Sequence, residues 1–124
     1  MKKGRIAIPS DGEGGIDGLR AGHFGHCAVF TLVDIEEGKI KNVTTASNQE
    51  HKEGGCLVPV NILADLKVNV LIVGGMGMRP LIGFNDVGID VYFESEHSEI
   101  RFVVEEMLAG NLKKMVPGQA CGGK

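Results

Sequence analysis

The sequence lacks a long apolar run: nowhere in its 124 residues does a hydrophobic stretch approach the roughly 20 residues needed to span a bilayer. A membrane partner is therefore not expected. Met1-Lys2-Lys3 is basic, but Pro9-Ser10-Asp11-Gly12 follows too soon to leave the apolar stretch of a signal peptide, so a cytoplasmic location is expected. A basic excess is missing too. The formal net charge is −3, and the lysines and arginines are scattered, with Lys113-Lys114 the late pair. Neutralising phosphates takes a basic face, so no nucleic-acid partner is expected. Cysteine is sparse and odd in number: Cys27, Cys56 and Cys121. That does not read as a disulfide framework. In a reducing compartment it leaves packing, metal binding or reactivity.

What is present is a folded composition, 43% hydrophobic, of a length suited to one domain with one real core. Glycine is abundant, at 19 residues, about twice the usual share. The glycines follow no period, which removes collagen-like and repeat architectures. They cluster in 11–25, at Gly54-Gly55, in 74–77 and in the tail, each time between apolar runs. Glycine there permits positive φ and close approach of the backbone to a ligand.

Arg5–Pro9 reads as a first strand, followed by a glycine-rich loop over 10–22. Ala28–Ile35 and Ile40–Thr45 read as two more strands. The hairpin Glu36-Glu37-Gly38-Lys39 joins them, with glycine where positive φ is needed, so the two run antiparallel. Cys56–Lys67 has helical spacing, with Leu57, Val60, Leu63 and Ala64 on one face. Pro59 is tolerated only in its first turn, which puts the helix start near 56–58. Asn69–Val73 is a buried strand of the parallel kind. Pro80 marks the first turn of a second helix that ends near Gly88 at C′, and Ile89–Phe93 is a fifth strand. Ser95 is expected to cap a last helix carrying Ile100, Val103, Val104, Met107 and Leu108, with Gly110 ending it. Residues 1–115 then form a single domain, and 116–124 a flexible Gly-rich tail.

The order β-β-β-α-β-α-β-α predicts an α/β fold. Right-handed crossovers and covered faces give a three-layer sandwich with three helices. Its mixed five-stranded sheet has the order 3-2-1-4-5, with strand 2 antiparallel. The chemistry then gathers at one sheet edge, around the switch point between strands one and four. His23-Phe24-Gly25-His26-Cys27 puts two imidazoles and a thiol beside glycines, either as N and S metal ligands or as an ordinary strand entry. Cys56 follows His51 and Gly54-Gly55 at a helix N-terminus, where the macrodipole favours thiolate; it is either a soft ligand or a small buried hydrophobe. Gly74-Gly75-Met76-Gly77 leaves a buried strand and opens a helix, so its N–H groups can face an anion. It matches neither nucleotide-binding glycine motif. Met76 and Met78 are thioethers that more often fill packing gaps, and Arg79 is either an anion partner or a surface charge.

Other features carry less. His97 is expected on an edge strand, simply exposed. Cys121 is expected as an unengaged tail thiol. Asp11, Asp34 and Asp90 would have to converge to form a carboxylate metal site, and Ser10 would need His23 or His26 as its base to act as a nucleophile.

The segments His23–Cys27, Glu53–Cys56 with Pro59, and Gly74–Gly77 leading to Ile82-Gly83-Phe84 and Gly88-Ile89 occur in an order that resembles the dinitrogenase iron–molybdenum cofactor biosynthesis family. Nearly the whole chain is covered. The family includes nitrogenase-cofactor carriers and the orange protein. The resemblance implies a ribonuclease-H-like fold and non-catalytic carriage of an anionic metal–sulfur cluster, iron–sulfur or molybdenum-containing, or of its precursor. It is not an enzyme on this reading. His23, His26, Cys27, His51 and Cys56 would serve as metal ligands, with Gly55, Gly74, Gly75, Met76, Gly77 and Arg79 around the cofactor. A cluster donor or acceptor protein is the implied partner, and the chain would be a monomer or weak dimer.

Two other functions compete. A divalent-metal hydrolase or nuclease would depend on acidic residues, yet the first strand, Arg5–Pro9, has no internal carboxylate. A ligand-free interaction or regulatory module would use the glycine loops to shape a protein surface.

Overall fold

The computed structural model describes residues 2–21, 27, 29–47, 57–94 and 96–115. In chain order the elements are β1 (Lys3–Ser10), β2 (Val29–Glu36), β3 (Lys39–Ser47), α1 (Leu57–Asp65), β4 (Val70–Val73), α2 (Met78–Asp86), β5 (Asp90–Phe93), α3 (Ile100–Leu108) and β6 (Lys113–Lys114). They form one mixed sheet in the order β3-β2-β1-β4-β5-β6. β2 runs antiparallel to β1 and β3, while β1, β4 and β5 are parallel. The predicted order 3-2-1-4-5 is therefore present, and a sixth strand extends it. β6 is only two exposed lysines, paired antiparallel with Tyr92 and Phe93, so no apolar alternation announces it. What holds it is the turn at Gly110 and the next residue: Met115 is buried and donates its N–H to Val91 O at 2.7 Å.

Side chains alternate across the central strands, so both faces of the sheet must be covered. Ala7, Leu71, Val73 and Val91 join Val60 and Leu63 of α1 and Leu81 and Phe84 of α2 in one apolar cluster. Ile6, Ile8, Val70 and Ile72 join Ile100, Val103, Val104 and Met107 of α3 in the other. The layers are thus α1 and α2, then the sheet, then α3.

Local signals set most boundaries. The hairpin between β2 and β3 turns at Glu37 (φ 55°) and Gly38 (φ 75°), the paired positive φ of a tight two-residue turn. Gly88 (φ 86°) closes α2: its N–H reaches Asn85 O at 3.1 Å, and that of Ile89 reaches Phe84 O at 2.9 Å. Gly110 closes α3 the same way. Pro80 lies in the first turn of α2, where a proline costs no hydrogen bond.

The start of α3 differs from the expectation. Ser95 lies outside the described residues, and the N-cap is Glu99, with no side-chain capping bond. Residues 96–99 are not helical because their backbone is engaged elsewhere. The N–H groups of Glu96 and His97 bind the Glu94 carboxylate, and the carbonyls of His97 and Ser98 receive donors from Arg20.

Candidate functional site

β1 ends at Ser10, which pairs with Val29 at the start of β2, and Val29 pairs with Ser47 at the end of β3. Val73 and Phe93, the last residues of β4 and β5, pair with each other. One sheet edge therefore carries the loops that leave β1, β3, β4 and β5 and the segment that enters β2. From β1 the chain departs toward β2, and from β4 toward β5, which makes the crevice between β1 and β4 a topological switch point.

The loop after β1 is stitched down. Asp11 N–H binds Leu19 O at 2.9 Å, Ala21 N–H binds Pro9 O at 2.8 Å, and Arg20 N–H binds Ser98 O at 2.7 Å. Ile100 N–H at the head of α3 binds Gly18 O at 3.0 Å. A buried hydroxyl pair holds the loop from below. Ser10 Oγ donates to Ile8 O at 2.8 Å and lies 2.6 Å from Thr31 Oγ1, so the proton between the hydroxyls comes from Thr31. Thr31 Oγ1 also accepts the Gly15 N–H at 3.0 Å. Gly14 is required here, because its φ is +71° and a Cβ would lie 2.8 Å from Thr31 Oγ1. Ser10 is fully buried and committed to these bonds, which removes it as a nucleophile.

At the other side of the edge stands a charged cluster that sequence reasoning missed. The side chains of Glu94 and Arg20 are 4% and 10% exposed, with Arg20 Nε 3.7 Å from Glu94 Oε1. Arg20 Nε and Nη2 donate to His97 O at 3.2 and 3.0 Å. The same carboxylate accepts His97 Nδ1–H at 2.9 Å and the backbone N–H groups of Glu96 and His97. His97 is therefore not the simple exposed residue expected: it is half-buried, in a loop, and bonded. Its pKa is raised above 6.5, first by the hydrogen bond to Glu94. Desolvation works against this, and the charges of Glu94, Glu106 and Glu96 add to it. The signal that could have found the cluster was position, since Glu94 directly follows the parallel strand β5 at the edge where the loops gather. A cleft of about 280 Å³ opens beyond Glu94 toward α3 and β6, but Glu94, Glu96 and Glu106 against Lys113 make it a poor seat for an anion.

Between β4 and α2 runs the predicted loop Gly74-Gly75-Met76-Gly77. The backbone N–H groups of Gly75, Met76 and Gly77 have no acceptor among the described residues. Met76 is buried at 6% exposure, in the same apolar cluster as Cys27, also 6%. Met78 and Arg79, in the first turn of α2, are exposed. Of the predicted metal ligands only Cys27 lies within the described residues; His23, His26, His51 and Cys56, with Gly55, lie outside them. Among the described residues no three carboxylate, imidazole or thiol groups converge as a metal-ion site. The aspartates are dispersed. Asp34 pairs with Arg5 at 2.7 Å and Asp90 with Lys114 at 3.1 Å, both toward the far edge from Asp11.

A sequence profile described as "Dinitrogenase iron-molybdenum cofactor" matches residues 2–110. An uncharacterized protein of Methanocaldococcus jannaschii, MJ0580, is 33% identical over 118 residues, covering 92% of this chain and 93% of its own. The crystal structure of PH0822 superposes with a TM-score of 0.76 at 30% identity, over 90% of this chain and 96% of that one. The apo form of the orange protein from Desulfovibrio gigas superposes with a TM-score of 0.80 at 27% identity, over 91% of this chain and 93% of that one. No helix among the described residues is long and apolar enough to cross a membrane.

Proposed function

This chain belongs to the dinitrogenase iron-molybdenum cofactor family, and from that premise we propose that it binds an anionic metal–sulfur cluster, or its precursor, as cargo. The cargo is held at the β1–β4 edge and is not transformed. One arrangement carries this reading: the open amides of Gly75, Met76 and Gly77 leave β4 at the edge where Cys27 precedes β2. Aligned N–H groups favour negative charge, and a soft thiolate suits iron or molybdenum bridged by sulfide. His23, His26, His51 and Cys56 complete the proposed ligand set, and Arg79 is a further candidate contact. Because a carrier must release its cargo, few direct ligands are needed. A reducing cytoplasm and a cluster donor or acceptor protein fit the same role.

The test is colour. Anaerobically purified protein is incubated with tetrathiomolybdate, or with ferrous iron and sulfide, and desalted. A protein-bound visible chromophore of fixed stoichiometry is expected, weakened in Cys56→Ala and His26→Ala. Colourless protein from both incubations would end the proposal.

The competing interaction module draws on a different observation. Met78 and Ile82, one helical turn apart on α2, are 42% and 41% exposed. That reading predicts a stoichiometric protein complex that forms without metal and is lost in Ile82→Asp.

A further inference from the structure

Arg20 is held more firmly than anchoring its loop requires. Its side chain is 10% exposed, its backbone N–H is bound by Ser98 O at 2.7 Å, and two of its guanidinium nitrogens bind His97 O. The third nitrogen, Nη1, has no acceptor among the described residues. Instead it lies against Gly74, in the space that a Cβ at that position would take. Buried donors are ordinarily satisfied, so a buried guanidinium edge with no acceptor among the described residues calls for a reason. Gly74 is also where the run of open amides begins. Among the described residues, a cationic donor and three backbone donors without acceptors therefore meet at the head of one loop.

We infer that Arg20 is a direct binding residue for the anionic ligand of the Gly74–Gly77 loop, donating through Nη1, and that Glu94 and His97 O are the groups that aim it. This rests on the carrier reading above and deepens it. Gly74 has no side chain because the guanidinium stands in its place. Glu94 offsets the cation's charge, which holds the affinity in a range compatible with release.

The experiment has two arms. In the first, tetrathiomolybdate is titrated into wild type, Arg20→Met, Arg20→Lys and Lys39→Met, and binding is followed by visible absorption, with circular dichroism to confirm folding. Arg20→Met should weaken binding roughly ten- to a hundredfold, as expected for loss of a charge-assisted hydrogen bond. Arg20→Lys should recover part of it and shift the bound probe's absorption bands, and Lys39→Met, exposed at the β2–β3 hairpin on the far edge, should change it less than about twofold. In the second arm, molybdate is added to wild type, and the Arg20 guanidinium and the 75–77 amides are followed by NMR. Saturable shifts at both are expected.

If wild type binds tetrathiomolybdate and folded Arg20→Met binds it equally well, the Arg20 assignment is wrong and the carrier reading survives. If wild type stays colourless with tetrathiomolybdate and with ferrous iron and sulfide, yet molybdate shifts Arg20 and the loop together, the anion contact stands and the carrier reading falls. Silence in both arms overturns the Arg20 assignment, and a colourless iron–sulfide incubation beside it overturns the carrier reading as well.

Discussion

His97 Nδ1 and Glu94 Oε2 lie 2.9 Å apart, and the same carboxylate oxygen takes the backbone N–H of His97 at 3.1 Å. The carboxylate only accepts, so Nδ1 carries the proton and the imidazolium form is favoured. His97 should titrate above 6.5 by NMR, and Glu94→Gln should bring its midpoint down. A raised folded-state pKa stabilises the fold fully below about 6.5, and that contribution is lost as pH rises through the folded value. Denaturation of wild type and His97→Gln should therefore differ more at pH values below that window than above it. A midpoint at or below 6.5 would contradict the geometry.

The Thr31 hydroxyl serves two partners at once, Ser10 Oγ at 2.6 Å and Gly15 N–H at 3.0 Å. Thr31→Val keeps the shape and leaves Gly15 N–H without its acceptor. A loss of about 1–3 kcal/mol is expected in urea denaturation. Thr31→Ser keeps the hydroxyl and should recover much of it. Equal losses in both variants would assign the role to the methyl group instead.

α1 ends as α2 and α3 do, but with a lysine where they have glycine. Lys67 N–H binds Ala64 O at 3.1 Å and Val68 N–H binds Leu63 O at 3.2 Å, with Lys67 at φ 63°. A side chain in the left-handed region is strained, and this one is exposed. Lys67→Gly should stabilise the protein by about 0.5–1 kcal/mol, the relief of strain exceeding the added entropy of the unfolded chain. A lower denaturation midpoint would count against this.

Leu71 and Ile72 are sequence neighbours, both 0% exposed, and they belong to opposite clusters. Each truncation to alanine should cost about 2–5 kcal/mol, because each leaves a cavity under a helix layer. A two-layer fold would make one of the pair nearly silent, so comparing the two denaturation curves tests whether α3 covers its face.

The sequence by itself determined the first five strands, the three helices and their order, because period, proline position and positive-φ glycines act over a few residues. Gly38, Pro80, Gly88 and Gly110 each did locally what their chemistry requires. From that order, chirality and covered faces gave the central sheet and the edge where its loops gather. Tertiary structure alone decided the rest. Arg20 and His97 are 77 residues apart in the chain, and no local pattern links them. Their meeting drew residues 96–99 out of the last helix, half-buried His97 and set a buried guanidinium against Gly74. β6 likewise exists only because Phe93 offers it a backbone to pair with. A periodic pattern records which face of an element is dry; it does not record which distant partner satisfies a buried charge, and here that partner shapes the rim.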